Sequence, residues 1–286
     1  MSREPGDAHE TKDGANPSVK THKGAGVGLA SQPAPWASAI TATTDRQVFV
    51  RGVALDKAIG ATAFPEMLLR LWRGDAPTSD EAELLSACLV AAIDHGPLSP
   101  SALVARTVAS TRATPMSALA GGILAFGELH GAAVTRAMRI IGGAPPAGSL
   151  DDWATEVFDA ERDAGRRLPG IGHRWHARDL RAERLIEVAA AGGGSRHAAA
   201  VRALAARVAH HVGHPVAVNI DGALAVALSA LRLDPEYGDF VFAIARSFGL
   251  AAHIVEERAR ERPMRLIDPT QALYDGVPVP DNQETD

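Results

Sequence analysis

With 286 residues, 46% hydrophobic and 22% charged side chains, the chain has material for one large globular domain, or for one domain with a smaller companion. Its net charge of −5, with no stretch that concentrates Lys and Arg among aromatics, argues against a nucleic-acid-binding role. The single cysteine, Cys88, excludes an internal disulfide. Residues 1–35 are rich in Gly, Ser, Thr, Pro and Lys and nearly devoid of large apolar side chains. They cannot repay the entropy of ordering and are expected to form a disordered tail. Asp7, Glu10 and Asp13 in that tail argue against an organellar transit peptide. No signal-peptide centre and no apolar run long enough to span a bilayer is read, so a cytoplasmic protein with no membrane association is expected.

After the tail, Gln47–Val50 is the only strand-like run, too little for a sheet of consequence. Ser79-Asp80-Glu81 opens a helix, with an N-cap hydroxyl or carboxylate before early acids and an apolar run from Leu84 to Ile93. Within that run Cys88 reads as a small buried hydrophobe rather than a nucleophile. Ala118–Phe126 predicts a further helix, and the composition breaks at Gly142 to Gly148 and again at the loop Leu168 to Gly172. Val201, Leu204, Ala205, Val208 and Val212 mark one apolar helix face with Arg202 and Arg207 opposite. Helices are predicted over Ala223–Leu231 and Phe240–Ile254, and the Pro- and acid-bearing end from Asp275 is expected to be loose. The fold class is therefore all-α: a large helical domain over 36–142 and 236–276, a small helical domain over 143–235, and a flexible tail over 277–286.

Four polar clusters interrupt this apolar helical text: Asp94-His95-Gly96-Pro97, Leu129-His130-Gly131, Gly170-Ile171-Gly172-His173-Arg174 and Asn219-Ile220-Asp221-Gly222. Each lies at a helix boundary beside glycine, where backbone can approach a ligand and unpaired N–H or C=O groups can orient it. Singly, each has a plainer reading. His95 and His130 could be satisfied capping histidines, His173 a loop residue, and Asp221 the N-cap of the helix near Ala223. Arg246 follows the apolar run Phe240 to Ala245, where an unpaired cation would be costly to bury; a structural salt bridge is its plainer reading.

Taken in order, the clusters resemble the citrate synthase family from about residue 46 to residue 276. Val50-Arg51-Gly52, Ala63-Phe64-Pro65-Glu66 and Gly74-Asp75-Ala76-Pro77-Thr78 look like the family's N-terminal text. Leu129 to Ala133 resembles its "LHGGAN" loop, Gly170 to Arg174 its "GxGHR" loop, Asn219 to Asp221 its "NxD" site, and Ala245 to Gly249 its "AR-x-x-G" helix.

This resemblance implies a carboxylate and two histidines acting on an acyl-CoA and an oxaloacetate-type keto acid. By carry-over, Asp221 moves the proton of the acetyl methyl, His130 hydrogen-bonds the enol oxygen, and His173 exchanges a proton with the ketone oxygen. A thioester α-carbon is a poor acid, so its base needs a donor where enolate charge develops. His95, Arg181 and Arg246 match the keto-acid-binding positions, with Arg178 competing for the place of Arg181 because the loop after His173 is one residue shorter than usual. Gly170, Ile171 and Gly172 are the candidate contacts to coenzyme A. No cofactor bound permanently is implied, coenzyme A entering as the substrate thioester, and a homodimer is.

The sequence departs from the family at Val134, where "LHGGAN" has Asn; at Gly222, where an aromatic follows "NxD"; and at Asp268, near the Arg usually lent by a neighbouring subunit. Arg265 lies close enough in sequence to replace that Arg. Asp94 to Pro97, Gly170 to Arg174 and Asn219 to Gly222 look more like the citryl-CoA lyase module of ATP-citrate lyase, whereas His130 is synthase-like. The favoured expectation is a citryl-CoA lyase. The alternatives are a citrate or 2-methylcitrate synthase, or a non-catalytic homologue that binds CoA thioesters. His210, His211 and His214 have ligand spacing but no evident third partner, so no metal is expected. No Gly-x-x-x-x-Gly-Lys phosphate loop occurs.

Overall fold

The computed structural model describes residues 37–146, 148–173, 178–266 and 268–277. The expected tail over 1–35, the expected tail over 277–286 apart from Val277, and Arg174 lie outside the described residues. The chain divides into two units, residues 1–76 and 77–286.

In the first unit, β1 (Thr41–Thr43), β2 (Val48–Val50) and β3 (Val53–Ala54) form an antiparallel sheet in the order β1-β2-β3. Thr41 pairs with Val50, and Phe49 with Ala54. Arg51 and Gly52, both at positive φ (48° and 79°), make the two-residue turn between β2 and β3, the twist that suits a tight hairpin. The strand-like reading of 47–50 thus extends to a small sheet. Two helices follow, α1 (Leu55–Ala58) and α2 (Phe64–Arg73). Arg51 Nε donates to the carbonyl of Leu71 at 3.0 Å, tying the hairpin to the last turn of α2.

In the second unit, α3 (Ser79–Ala92) begins one residue earlier than its acids suggest. Thr78 is the cap: its hydroxyl accepts from Glu81 N, and the Glu81 carboxylate accepts from Thr78 N, a capping box. The helices α4 (Pro100–Ser110) and α5 (Pro115–Leu124) pack against each other. The predicted helix over 118–126 starts earlier because Thr114 caps it and Pro115 presets its first turn. Next come α6 (Val134–Gly142), α7 (Leu150–Asp163) and α8 (Leu180–Ala189). A wide turn, Ala190–Gly194, leads into α9 (Ser195–Val212).

The core is built around α10 (Ile220–Ala230) and α11 (Tyr237–Arg260). Residues Ala223 to Leu228 of α10 are all fully buried, as expected of a helix apolar on every side. It packs against α6, α8, α3 and α9. By length and composition α11 is apolar enough to cross a bilayer, contrary to the expectation that no run is long enough. It nevertheless packs against α3, α4, α5 and α6 with the side chains of Arg246 and Glu257 buried, as the core helix of this unit. It runs past the predicted 240–254 because its last turns are polar, with Arg260 paired to Glu256 at 2.6 Å.

Candidate functional site

Asp221 owes its place to its neighbour. The side chain of Asn219 caps α10, accepting from the amides of Asp221 (2.9 Å) and Gly222 (3.4 Å). Asp221 is therefore not the cap that its plainer reading supposed. Its carboxylate lies in the first turn with Oδ1 buried and without a hydrogen-bond partner. Burial pushes its pKa up to about 6. Asp239 and Asp179 push the same way, and Arg246 and Arg181 oppose them. A carboxylate denied solvation and partners is a stronger base than an exposed one.

The loop 170–172 is docked onto the residues that lead into α10. Gly172 N donates to Ala217 O at 2.7 Å, Asn219 N to Gly170 O at 3.0 Å, and Asn219 Nδ2 to Gly172 O at 2.8 Å. Ile171 faces Val218 in a two-residue antiparallel bridge. In that pairing the N–H and C=O of Ile171 point to the opposite edge. The docking needs two glycines. A Cβ on Gly170 (φ +78°) would lie 2.5 Å from the Gly222 Cα, and one on Gly222 would lie 2.6 Å from the Gly170 carbonyl. This close approach accounts for the glycine at 222 where an aromatic was expected.

His173 follows directly. Its ring meets that of His95 edge-on at 5.6 Å between centroids, and its Nε2 lies 3.9 Å from Asp179 Oδ2. Burial lowers the pKa of His95, and Arg181, Arg246 and His173 push it further down against Asp179; its imidazole is thus held neutral. His95 is carried by Asp94, whose carboxylate accepts from Gly96 N at 2.9 Å and contacts His253 Nε2 at 3.0 Å. Burial raises Asp94, but these amide and imidazole contacts outweigh it and hold the carboxyl below the usual range.

Arg246 is 2% exposed. Its Nε donates to Ala92 O at the end of α3 (3.0 Å), and its guanidinium lies 4.8 Å over the Phe242 ring. Burial lowers its pKa, with Asp94 and Asp221 opposing. The alternative of a direct structural ion pair is not what holds it: the described partners are a carbonyl and a ring. Arg181 pairs with Asp179, whereas Arg178 pairs with Glu183 at the surface (2.9 and 2.6 Å).

His130 stands on a tight loop closed by reciprocal backbone bonds with Gly127, each 2.8 Å. Its ring packs beside Phe126 (5.6 Å) and Phe242 (6.4 Å). Gly131 is required here, since a Cβ would come within 2.6 Å of Phe242. The Nε2 of His130 lies 2.9 Å from Ser101 Oγ and accepts from Ser101 N at 3.3 Å. An amide only donates, so the neutral ring carries its proton on Nδ1. Val134, in place of the expected Asn, is fully buried and serves as a core residue.

The structure thus joins His95, His173, Arg181, Arg246 and Asp221 by contact or electrostatic reach, and links His130 to Arg246 through Phe242. Sequence reasoning missed Asp179 and Ser101. A carboxylate before a helix and a serine after Pro100 look like ordinary helix-start residues, and only their tertiary contacts mark them out. Arg265, expected to replace a lent Arg, is engaged elsewhere: its Nε donates to Glu257 Oε1 at 2.8 Å, and Arg106 Nε holds Glu257 Oε2 at 2.8 Å. Asp268 caps the short turn Pro269–Gln271. His211 packs on Phe158 and His214 contacts the Pro215 carbonyl; among the described residues no three potential metal ligands converge.

The family model for the C-terminal domain of citrate synthase matches residues 34–269. The Mycobacterium tuberculosis protein named "Putative citrate synthase 2" is 32% identical over 211 residues, covering 72% of this chain and 54% of that protein. The chain therefore spans about half the length of the curated citrate synthases it matches. The structure of citryl-CoA lyase from Hydrogenobacter thermophilus superposes with a TM-score of 0.77 at 32% identity, covering 85% of this chain and 96% of that one. ATP citrate lyase from Methanothrix soehngenii, solved with citrate and coenzyme A, shares the fold: TM-score 0.73, 20% identity, 90% of this chain and 44% of that one.

Proposed function

This chain belongs to the citrate synthase family, and from that premise we propose that it splits citryl-CoA into acetyl-CoA and oxaloacetate. The observation that carries this reading is the near whole-length correspondence with the Hydrogenobacter citryl-CoA lyase, at 32% identity. In the proposed reaction His173 takes the proton from the citryl hydroxyl as the carbon–carbon bond breaks. The electron pair of that bond passes to the acetyl carbon and forms an enolate, whose oxygen is held by His130 Nδ1–H. Asp221, made proton-binding by its burial, returns a proton to carbon. The neutral His95 and the cations Arg181 and Arg246 hold the carboxylates of the oxaloacetate half, by charge-assisted hydrogen bonds. The outward N–H and C=O of Ile171, flanked by Gly170 and Gly172, are the proposed backbone contacts to coenzyme A.

A synthase must also place water on the citryl thioester inside a closed site. With Arg265 held by Glu257 and Asp268 capping a turn, the described residues near the end of the chain supply no obvious second clamp for a carboxylate. That favours cleavage over hydrolysis. The synthase reading rests on the synthase-like His130 and on the mycobacterial relative. Purified protein given citryl-CoA, with oxaloacetate and free thiol followed together, decides between them. Oxaloacetate without free thiol is expected, and free coenzyme A appearing with citrate would assign a synthase. Turnover of neither kind would leave the non-catalytic, thioester-binding alternative.

The reading includes a large lobe (36–142 and 236–276) and a small lobe (143–235), and a homodimer. Supporting the dimer, α5 bears no charged side chain and exposes Met116 (66%) and Leu124 (85%). The neighbouring α4 exposes Leu103 and Val104. Exposed apolar side chains on two helices that pack together suit a second copy of the chain.

A further inference from the structure

We propose that Asp179 is the positioning residue of this site, its one carboxylate fixing the orientation of both Arg181 and His173. The proposal rests on the citryl-CoA reading for its kinetic consequences, but not for its geometry.

Asp179 is 3% exposed. As the N-cap of α8 it accepts from Arg181 N at 3.2 Å and Ala182 N at 3.4 Å. The same carboxylate takes Arg181 Nε at 3.1 Å through Oδ1 and Nη2 at 3.0 Å through Oδ2, and Oδ2 lies 3.9 Å from His173 Nε2. A guanidinium has two bidentate edges, a side-on edge formed by Nε with one terminal nitrogen and an end-on edge formed by the two terminal nitrogens. Asp179 occupies the side-on edge. The end-on edge is the one presented to a substrate carboxylate, and its direction is set before substrate arrives.

His173 is subject to the same anchor. Among the described residues, the charged and titratable groups near it include His95 at its ring edge, Asp179 at its Nε2, and Arg181 and Arg246, which act on the adjoining His95. Asp221 lies within electrostatic reach of Asp179, Arg181 and Arg246. When His173 takes the hydroxyl proton it becomes a cation, and Asp179 is the anion placed to balance it against the two arginines.

Capping alone does not call for a charge, because Asn and Ser cap a helix about as well as Asp. Asp179→Asn and Asp179→Ser therefore separate the two roles. Both variants are expected to keep the fold by circular dichroism. In both, kcat/KM for citryl-CoA is expected to fall about 10–100-fold, with KM raised. The His173 imidazole resonance, followed by NMR without substrate, is expected to titrate about one pH unit lower than in the wild type. Asp179→Glu, which restores the charge one methylene away, is expected to recover the titration but not KM. Wild-type KM together with an unmoved His173 titration in the folded Asn or Ser variant overturns the proposal. Loss of the fold in both also overturns it, and assigns the Asp179 charge to holding the fold through its pairing with Arg181. If wild type and variants alike leave citryl-CoA intact, the functional reading fails, while the titration still decides the role of Asp179.

Discussion

Because Asn219 satisfies the first amides of α10, the carboxylate of Asp221 is left with no structural duty. Its raised pKa, about 6, links function to stability. The folded protein binds this proton more tightly than the unfolded chain, so the stabilising contribution is present below about pH 4 and is lost as pH rises through about 6. At neutral pH the ionised group costs on the order of 3 kcal/mol. Asp221→Asn is therefore expected to lower turnover at least about 10²-fold, since an amide cannot exchange the carbon proton. The same change is expected to raise stability at pH 7 by about 1–3 kcal/mol, an effect that shrinks towards pH 4. Denaturant titrations of both proteins at the two pH values check this; equal stability at pH 7 would show that Asp221 is not forced to carry its charge in a desolvated place. Ser101 belongs at this scale too, because its amide sets which nitrogen of His130 carries the proton.

Among the elements, the junction of the 170–172 loop with α10 is the least forgiving. Gly222→Ala puts a methyl 2.6 Å from the Gly170 carbonyl and 2.7 Å from Val218. Overpacking of this sort costs about 1–3 kcal/mol, and here the strain is expected to displace the loop that carries His173. Activity is expected to fall more steeply than stability, which parallel kinetics and melting curves would detect; a variant with full activity would show the junction to be slack. The same junction shows what the sequence makes legible. Glycines at 170, 172 and 222 beside His173 and Asp221 announce a site in one dimension, and the apolar periodicity of 201–212 and the nearly unbroken apolar run of 223–231 announce the helices behind it. What stayed hidden was tertiary. Short helices such as α6 and α8 alternate charge and apolar residues too briefly to stand out, Thr78 rather than Ser79 wins the cap through a contact with Glu81, and Asp179 reveals its second task only beside His173.

On the scale of the whole molecule, the uncharged face of α5 makes a prediction about association. Leu124→Asp places a charge at a side chain that is 85% exposed in the single chain, so the folded monomer should tolerate it. If that face seats a second copy, sedimentation of the variant is expected to show about half the wild-type mass, at unchanged helix content. An unaltered mass would move the interface elsewhere. The complete burial of Ala223 to Leu228 has a different consequence, for the history of such a protein rather than its chemistry. The helix that presents the base has no room for a larger side chain and would leave a void behind any smaller one, so mutation can explore almost nothing there. Divergence in substrate preference is thereby expected away from this helix, at the exposed ends of others, and a lineage of such enzymes would be expected to keep its base while rewriting its edges.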